Sequence, residues 1–423
     1  MRIAMTTKSL DTTFIRIIHP VCCGLDVHKK NISACLLTVD EYGKEHYEIK
    51  EFGTFTDDLK TMKKWLMDNN CPIVAMESTG VYWRPVHNVL EGFMEVILVN
   101  ARHIKNVPGR KTDISDSKWL AGLLKHGLLK GSFIPEKQIR QWRELTRLRR
   151  KYTESMADYK RRVHKLFETA NIKIDSVVSD LFGVTGRNLI CLLCNESELS
   201  ESIIKANSKR GLKEKSEELY RSIQGFFEEH HRFQLIGMME MIEAFENQIA
   251  KITMRLEKLT EEHHDLLKRL DEVPGIDQKS AQSIVSELGV TLEEFPSMAH
   301  LASWSGLCPG NNESAGKRKS GRTSVRNHSF KTILIEVAWA AVKKKGSYYR
   351  VKYYKLKARR GAKKAIVAIA HRISKAIYNI IKHGAVFTDL GENYLTAQTR
   401  QREINNIKKK AGQLGYNLVP CTD

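Results

Sequence analysis

The stretch Val21–Asp40, VCCGLDVHKKNISACLLTVD, reads as two apolar strands joined by a polar turn. The first strand ends at Asp26, the turn spans His28–Asn31, and the second strand runs to about Val39. Working outward, HYEIKEFGTF (46–55) gives a third strand. From Thr56 to about Asn69, Leu59, Met62, Trp65 and Leu66 follow helical spacing. A short apolar strand, PIVAM, then ends at Glu77. STGVYWRPVHNVL (78–90) follows as a helix, and MEVILVN (94–100) as another buried strand. Three strands and then alternating strand and helix predict a mixed α/β sheet with helices packed on it.

In this pattern Asp26 and Glu77 each stand at the carboxyl end of a core strand, where α/β sheets tend to carry their sites. A lone acid there also serves as a helix or turn cap. Further along, GRKTDISDSKWLAGLL (109–124) places Asp113 and Asp116 three apart at the start of an amphipathic helix, on one face. First-turn acids are also favoured by the helix dipole alone. Four carboxylates from three elements of one α/β unit form a more specific set, suited to Mg²⁺, a hard cation that takes oxygen ligands. A pair of such ions stabilises the attacking and leaving oxygens of a phosphoryl transfer. The constellation resembles the RNase H/RuvC-like fold of nucleases and resolvases, and the order Asp, Glu, Asp, Asp is RuvC-like.

From Pro135 to about Leu193 the chain is helical and rich in Arg and Lys. Leu145, Leu148, Tyr152, Met156, Tyr159, Val163 and Leu166 mark the expected buried face. The opposite face, with Arg149, Arg150, Arg161 and Arg162, is left for phosphates or simply for solvent. Residues 196–218 are polar and read as a less ordered connection. Between Leu235 and Leu270 apolar residues alternate at three-and-four spacing, interrupted by His263. This is a coiled-coil seam, for a second copy or for a hairpin within the chain. The turn VPGID (273–277) and the helix after it resemble a helix-hairpin-helix, whose glycine admits a phosphate to backbone N–H groups.

NNESAGKRKSGR (311–322) then reads as a loop: Gly316 and Gly321 permit turns, and Lys317, Arg318, Lys319 and Arg322 suit phosphates. Ser314 beside these cations is a candidate nucleophile on a phosphodiester, against the plainer reading of a loop that only touches a backbone. From Ala315 to His383 there are twenty Lys or Arg and one acid, Glu336. Two apolar helices in that block make it a folded domain. Tyr348, Tyr349, Tyr353 and Tyr354 interleave the charges, expected to pack on the helices more than to stack on bases.

The 423 residues exceed one compact core, and 42% hydrophobic with 28% charged residues is a globular composition. The excess of 69 Lys+Arg over 49 Asp+Glu, net +20, favours nucleic acid over a membrane surface. No apolar run reaches the roughly 20 residues of a bilayer span, and no export signal is read in the first twenty residues. The eight cysteines lie scattered in apolar segments, as expected in a reducing cytoplasm. Cys191 and Cys194 form a CxxC without a second pair at zinc spacing, so an apolar helix is the simpler explanation.

Taken together, GLDVHK, AMESTGVYW, VNARHIKNVPGRKTDISDSKWLAGLLKHGLL, GSFIP, VPGID and SWSGLCPGNNESAGKRKSGRTS resemble the DEDD transposases of the IS110 family of bacterial insertion sequences, related to the Piv/MooV DNA invertases. The resemblance runs from about Val21 to His383. It implies an RuvC-like domain with catalytic, Mg²⁺-binding Asp26, Glu77, Asp113 and Asp116, and a C-terminal domain whose Ser314 attacks DNA. Many relatives read SGG where this chain reads SAG, which leaves Ser320 and Ser324 as alternatives. Lys111 falls in the motif before the paired acids and is expected at nucleic acid. The resemblance further implies donor and target DNA, an RNA encoded by the element as guide, a dimer or tetramer through the coiled coil, and a cytoplasmic, nucleoid-associated protein. The expected domains are a flexible 1–19, an α/β domain at 20–134, a basic helical and coiled-coil region at 135–270, a mainly helical transposase domain at 271–390 and a tail at 391–423. A junction nuclease using metal-activated water, or a nucleic-acid-binding protein without catalysis, are the alternative functions.

Overall fold

The computed structural model describes residues 16–78, 80–100, 115–195, 199–309, 312–314, 317–320, 323, 328–417 and 419. The chain divides into two compact units, Met1–Ile134 and Pro135–Asp423.

The first unit is built on a five-stranded sheet of β1 (Val21–Val27), β2 (Asn31–Val39), β3 (Glu45–Gly53), β4 (Ile73–Glu77) and β5 (Glu95–Val99), in the order β3-β2-β1-β4-β5. β2 runs antiparallel to β1 and β3, whereas β4 is parallel to β1 and β5. Period-two alternation divides the strand residues between two faces. Leu25, Ile32, Val74 and Met76 pack with Met62 and Leu66 of α1 (Thr56–Asp68) and Val86 and Leu90 of α2 (Trp83–Leu90). Cys22, Cys35, Leu37, Ile73 and Ala75 face Leu120, Ala121 and Leu124 of α3 (Asp116–Lys125). Burial pushes the Cys22 thiol up to about 12 and those of Cys35 and Cys71 to about 11, so they pack as small neutral groups.

The expected strands and α1 match the observed elements closely. α2 begins at Trp83 rather than at Ser78, because Gly80 at φ 58 and the turn after it hold the chain out of helix.

The second unit opens with α4 (Lys137–Thr169), and α5 (Val184–Asn195) carries Cys191 and Cys194 as free thiols. Residues 199–222 are a correction to the sequence reading. They hold short helices at Glu201–Ala206, Arg210–Lys213 and Ser216–Ser222, with Ile204 and Leu219 fully buried against α4 and α5 in one apolar core. The isolated apolar residues were too few per segment to signal that core. α6 (Glu229–Leu259) then runs back along α4: Phe245 meets Tyr152 and Tyr159, and His263 stacks on Trp142.

The apolar seam from Leu235 therefore lies against α4 of the same chain. It is not one helix over its whole length. α6 stops at Leu259, Glu261–His263 forms a 3₁₀ turn, and α7 (His264–Asp271) resumes. α8 (Gln278–Leu288), α9 (Met298–Trp304), α10 (His328–Lys343), α11 (Tyr348–Arg360), α12 (Ala362–His383) and α13 (Tyr394–Gln413) complete the unit. Tyr348, Tyr349 and Tyr353 are buried, and Tyr354 is half exposed between Arg350 and Lys357. Among the described residues, no helix is long and apolar enough to cross a membrane.

Candidate metal centre and serine hairpin

β1 and β4 pair in register as far as Leu25 and Met76, and Asp26 and Glu77 are the next residue on each strand. Alternation puts both acids on the face that α3 covers, since Cys22 and Ala75 belong to the core on that side. The start of α3 is fixed over the same corner. Ser115 caps the helix, its Oγ accepting from the Lys118 N–H at 3.4 Å, and Asp116 is the first helical residue. Ser117, fully buried, sits 3.4 Å from Ser33 Oγ, and Ser33 is the residue opposite Asp26 in the β1–β2 register. Three elements thus bring Asp26, Glu77 and Asp116 to one end of one sheet face. Asp113 and Lys111 lie outside the described residues.

Gly24 explains how α3 comes so close. A Cβ there would stand 2.0 Å from the Ser117 carbonyl oxygen and 2.6 Å from the Ala121 nitrogen. Only glycine lets the helix backbone rest on β1 two residues before Asp26. Asp26 is half-buried, and its carboxylate accepts from His28 Nε2 at 3.1 Å. The sequence reading passed over Gly24, His28, Ser33 and Ser117. Gly24 carried a usable signal, since glycine inside an apolar strand marks a close backbone approach.

The donor set is all carboxylate oxygen, which fits a hard divalent cation. Among the described residues these acids do not draw three ligand atoms within 4.8 Å of one another; that grouping occurs only at Glu228, His230 and His231.

Ser314 was expected in a loop, and the structure corrects this. It ends strand β6 (Asn312–Ser314), which pairs antiparallel with β7 (Lys317–Ser320), Ser314 opposite Lys317 and Glu313 opposite Arg318. Two residues separate the paired ends, the shortest common hairpin connection. Short, charged strands lack the apolar alternation that would announce them. The backbone alone is described for Ser314, Lys317, Arg318, Lys319 and Ser320, while Arg322 and Ser324 lie outside the described residues. At the base of the hairpin Pro309 bridges to Thr323, whose Oγ1 accepts from Lys331 Nζ of α10 at 2.7 Å. Burial holds the Lys331 ammonium below its usual range.

The basic face of α4 is only partly available. Arg149 is 5% exposed, donating to Gln282 Oε1 at 3.0 Å and the Lys279 carbonyl at 3.2 Å on α8. Arg149 therefore does not present its guanidinium to a phosphate from solvent. Ile139, Trp142, Thr146 and Arg149 form the buried stripe of this half of α4, and Leu148 is exposed, the reverse of the expected face. The physical reason is a polar partner. Ser286 bonds Thr146 at 2.9 Å, and buried Glu287 takes Arg147 through two contacts at 2.7 and 2.9 Å. Arg150 is committed to Glu154 and Glu336. Arg161 pairs with Asp158, and Arg162 lies over the Tyr159 ring; both are exposed.

The helix-hairpin-helix expectation is also altered. Gly275 has φ 89, but a Cβ there would meet the Val337 carbonyl oxygen at 2.3 Å and the Ala341 nitrogen at 2.5 Å. The close approach that this glycine permits is with α10.

Residues 23–172 match a DEDD family profile of the IS110 type, described as "Transposase". Residues 267–355 match one described as "Transposase IS116/IS110/IS902 family". The two matches together cover more than half of the chain. No curated protein matches it.

Proposed function

Because the chain belongs to the IS110 family of transposases, enzymes that act on DNA, we propose that it exchanges DNA strands through a covalent bond to Ser314, assisted by Mg²⁺ at Asp26, Glu77, Asp113 and Asp116. The observation that carries the metal half is the convergence of Asp26, Glu77 and Asp116 on one sheet face. The strand order β3-β2-β1-β4-β5 with an antiparallel β2 supports an RNase H/RuvC-like reading of this unit. Bound Mg²⁺ supplies electrostatic stabilisation of the charge that develops on the transferring phosphate.

Ser314 Oγ attacks the scissile phosphorus and loses its proton. An Oγ–P bond forms as a P–O bond to the sugar breaks, and the leaving sugar oxygen takes up a proton. A free sugar hydroxyl of the partner strand then displaces Ser314, so the number of phosphodiesters is conserved. Asp26 keeps its orientation through His28, and the basic hairpin around Ser314 holds the phosphate near the hydroxyl. The net charge of +20 supports a second polyanion, an RNA encoded by the element that guides the choice of site. Exposed Phe233, Met241 and Met254 on α6 support assembly with further copies of the chain into a dimer or tetramer.

The test is covalent trapping. End-labelled donor and target DNA are incubated with protein, Mg²⁺ and RNA from the element's flanks, then run under denaturing conditions. A protein–DNA adduct absent from Ser314→Ala is the expected result. Cleavage without an adduct, unchanged in Ser314→Ala, would replace this reading with a nuclease that uses water.

A further inference from the structure

The start of α6 gathers Glu228, His230 and His231, with one ligand atom from each within 4.8 Å of the other two. Glu228 is the N-cap, in extended conformation. Its backbone N–H donates to His231 Nδ1 at 3.1 Å, and its backbone carbonyl accepts from the His231 N–H at 3.0 Å. This is one half of a capping box, with histidine in the place usually held by Glu or Gln. His230 Nδ1 lies 3.3 Å from Glu228 Oε2. The two imidazole rings are 3.7 Å apart between centroids, and Phe227 stacks on His231. The cap and the stack hold the donors in place before any ligand arrives.

We propose that this corner binds one divalent transition cation of the Zn²⁺, Co²⁺ or Ni²⁺ class, through one imidazole nitrogen from each histidine and one Glu228 oxygen. The remaining positions are filled by water, to which the site is open: the side chains of His230 and Glu228 are 59% and 71% exposed. Two imidazoles and one carboxylate select such metals over Mg²⁺, which prefers oxygen ligands alone. The cation replaces the contact between His230 and Glu228 and also the bond from the Glu228 N–H to the His231 ring, because a metal-bound imidazole keeps no nitrogen lone pair for that N–H. The metal bonds then hold the first turn of the helix that runs back along α4. The site is separate in residues and in donor chemistry from the acids of the sheet.

Full-length protein, stripped of metal with a chelator, is titrated with Co²⁺ and followed by its visible d–d absorption. The expected result is one bound equivalent, displaced by Zn²⁺ but not by excess Mg²⁺, and unchanged in Asp26→Asn. His230→Gln should weaken it by at least about tenfold. His230 takes no part in the capping box, so the circular dichroism of this variant stays that of the wild type. His231→Gln should also abolish binding while the first turn of α6 stays helical, since Gln at this position can accept from the same Glu228 N–H. Four results would overturn the assignment: no Co²⁺ uptake, full affinity in His230→Gln, loss of the bands in Asp26→Asn, or a thiolate-to-cobalt charge-transfer band that shows cysteine ligation.

Discussion

Replacing Gly24 by alanine adds one methyl group, and the structure states where that group must go. Its carbon would lie 2.0 Å from the Ser117 carbonyl oxygen, 2.6 Å from the Ala121 nitrogen and 2.9 Å from Leu120 Cβ. The first two are backbone atoms of α3, which cannot rotate away. Ordinary contact begins at 3.4 Å, so α3 must retreat by about 1.4 Å. Overpacking of this kind costs about 1–3 kcal/mol of stability. The larger effect falls on the site. Asp116 is one residue from Ser117 and moves with it, away from Asp26 and Glu77, and a displacement of about 1 Å costs roughly 100-fold in rate.

The assay is the rate of adduct formation in saturating Mg²⁺, corrected for the folded fraction by circular dichroism. Gly122→Ala is the control: it lies on the same helix with nothing within 4 Å of an added Cβ. It should leave the rate unchanged and raise stability by about 0.5–1 kcal/mol. Wild-type rates in Gly24→Ala, or an equal loss in Gly122→Ala, would refute the argument that α3 positions the third acid.

Arg162→Ala should reduce the slope of log K against log salt for DNA by about one, whereas Arg149→Ala should leave the slope alone. Arg149→Ala should instead lower the urea midpoint, because Gln282 and the Lys279 carbonyl lose a buried donor. Gly275→Ala should cost roughly 2 kcal/mol or more by forcing α10 away from the turn, with DNA affinity per folded molecule unchanged; a selective loss of affinity would restore the phosphate reading of that turn. A further test concerns acid stability. The Lys125 ammonium, almost wholly buried, holds the Glu45 carboxyl below the usual carboxylate range. A depressed carboxyl contributes stability that is complete above its unfolded value, about 4.3, and is lost as pH falls through the folded one. Urea midpoints should therefore drop more for wild type than for Glu45→Gln on acidification below pH ~4. Parallel curves would count against the pair.

Strand alternation made most of the sheet legible, because Leu25, Ile32, Val74 and Met76 report a buried face through hydrophobicity alone. Asp26 and Glu77 were readable for the related reason that each interrupts an apolar strand at its carboxyl end. What escaped depended on partners distant in the chain. Thr146 and Arg149 look like solvent-facing residues until Ser286 and Gln282, well over a hundred residues later, satisfy them. Leu148 looks like core until that polar partner claims the adjacent stripe. The pairing of Ser314 with Lys317 is a backbone property, to which side-chain periodicity is blind.

The core enclosed by the far ends of α4 and α6 bears on the order in which the chain assembles. Its buried residues run from Val163 to Ile242, with Met156 and Tyr159 packed against them. Closing α3 onto the sheet, by contrast, has to wait for Ala121, whose carbonyl accepts from Cys22 Sγ across 99 residues. Contacts close in sequence require little loop closure and form early, while distant ones form late. As the chain leaves the ribosome, the helical tip can therefore consolidate as a unit on its own schedule. Segment 156–242 is thus a natural cassette, one whose exchange should leave the folding of the five-stranded sheet unchanged.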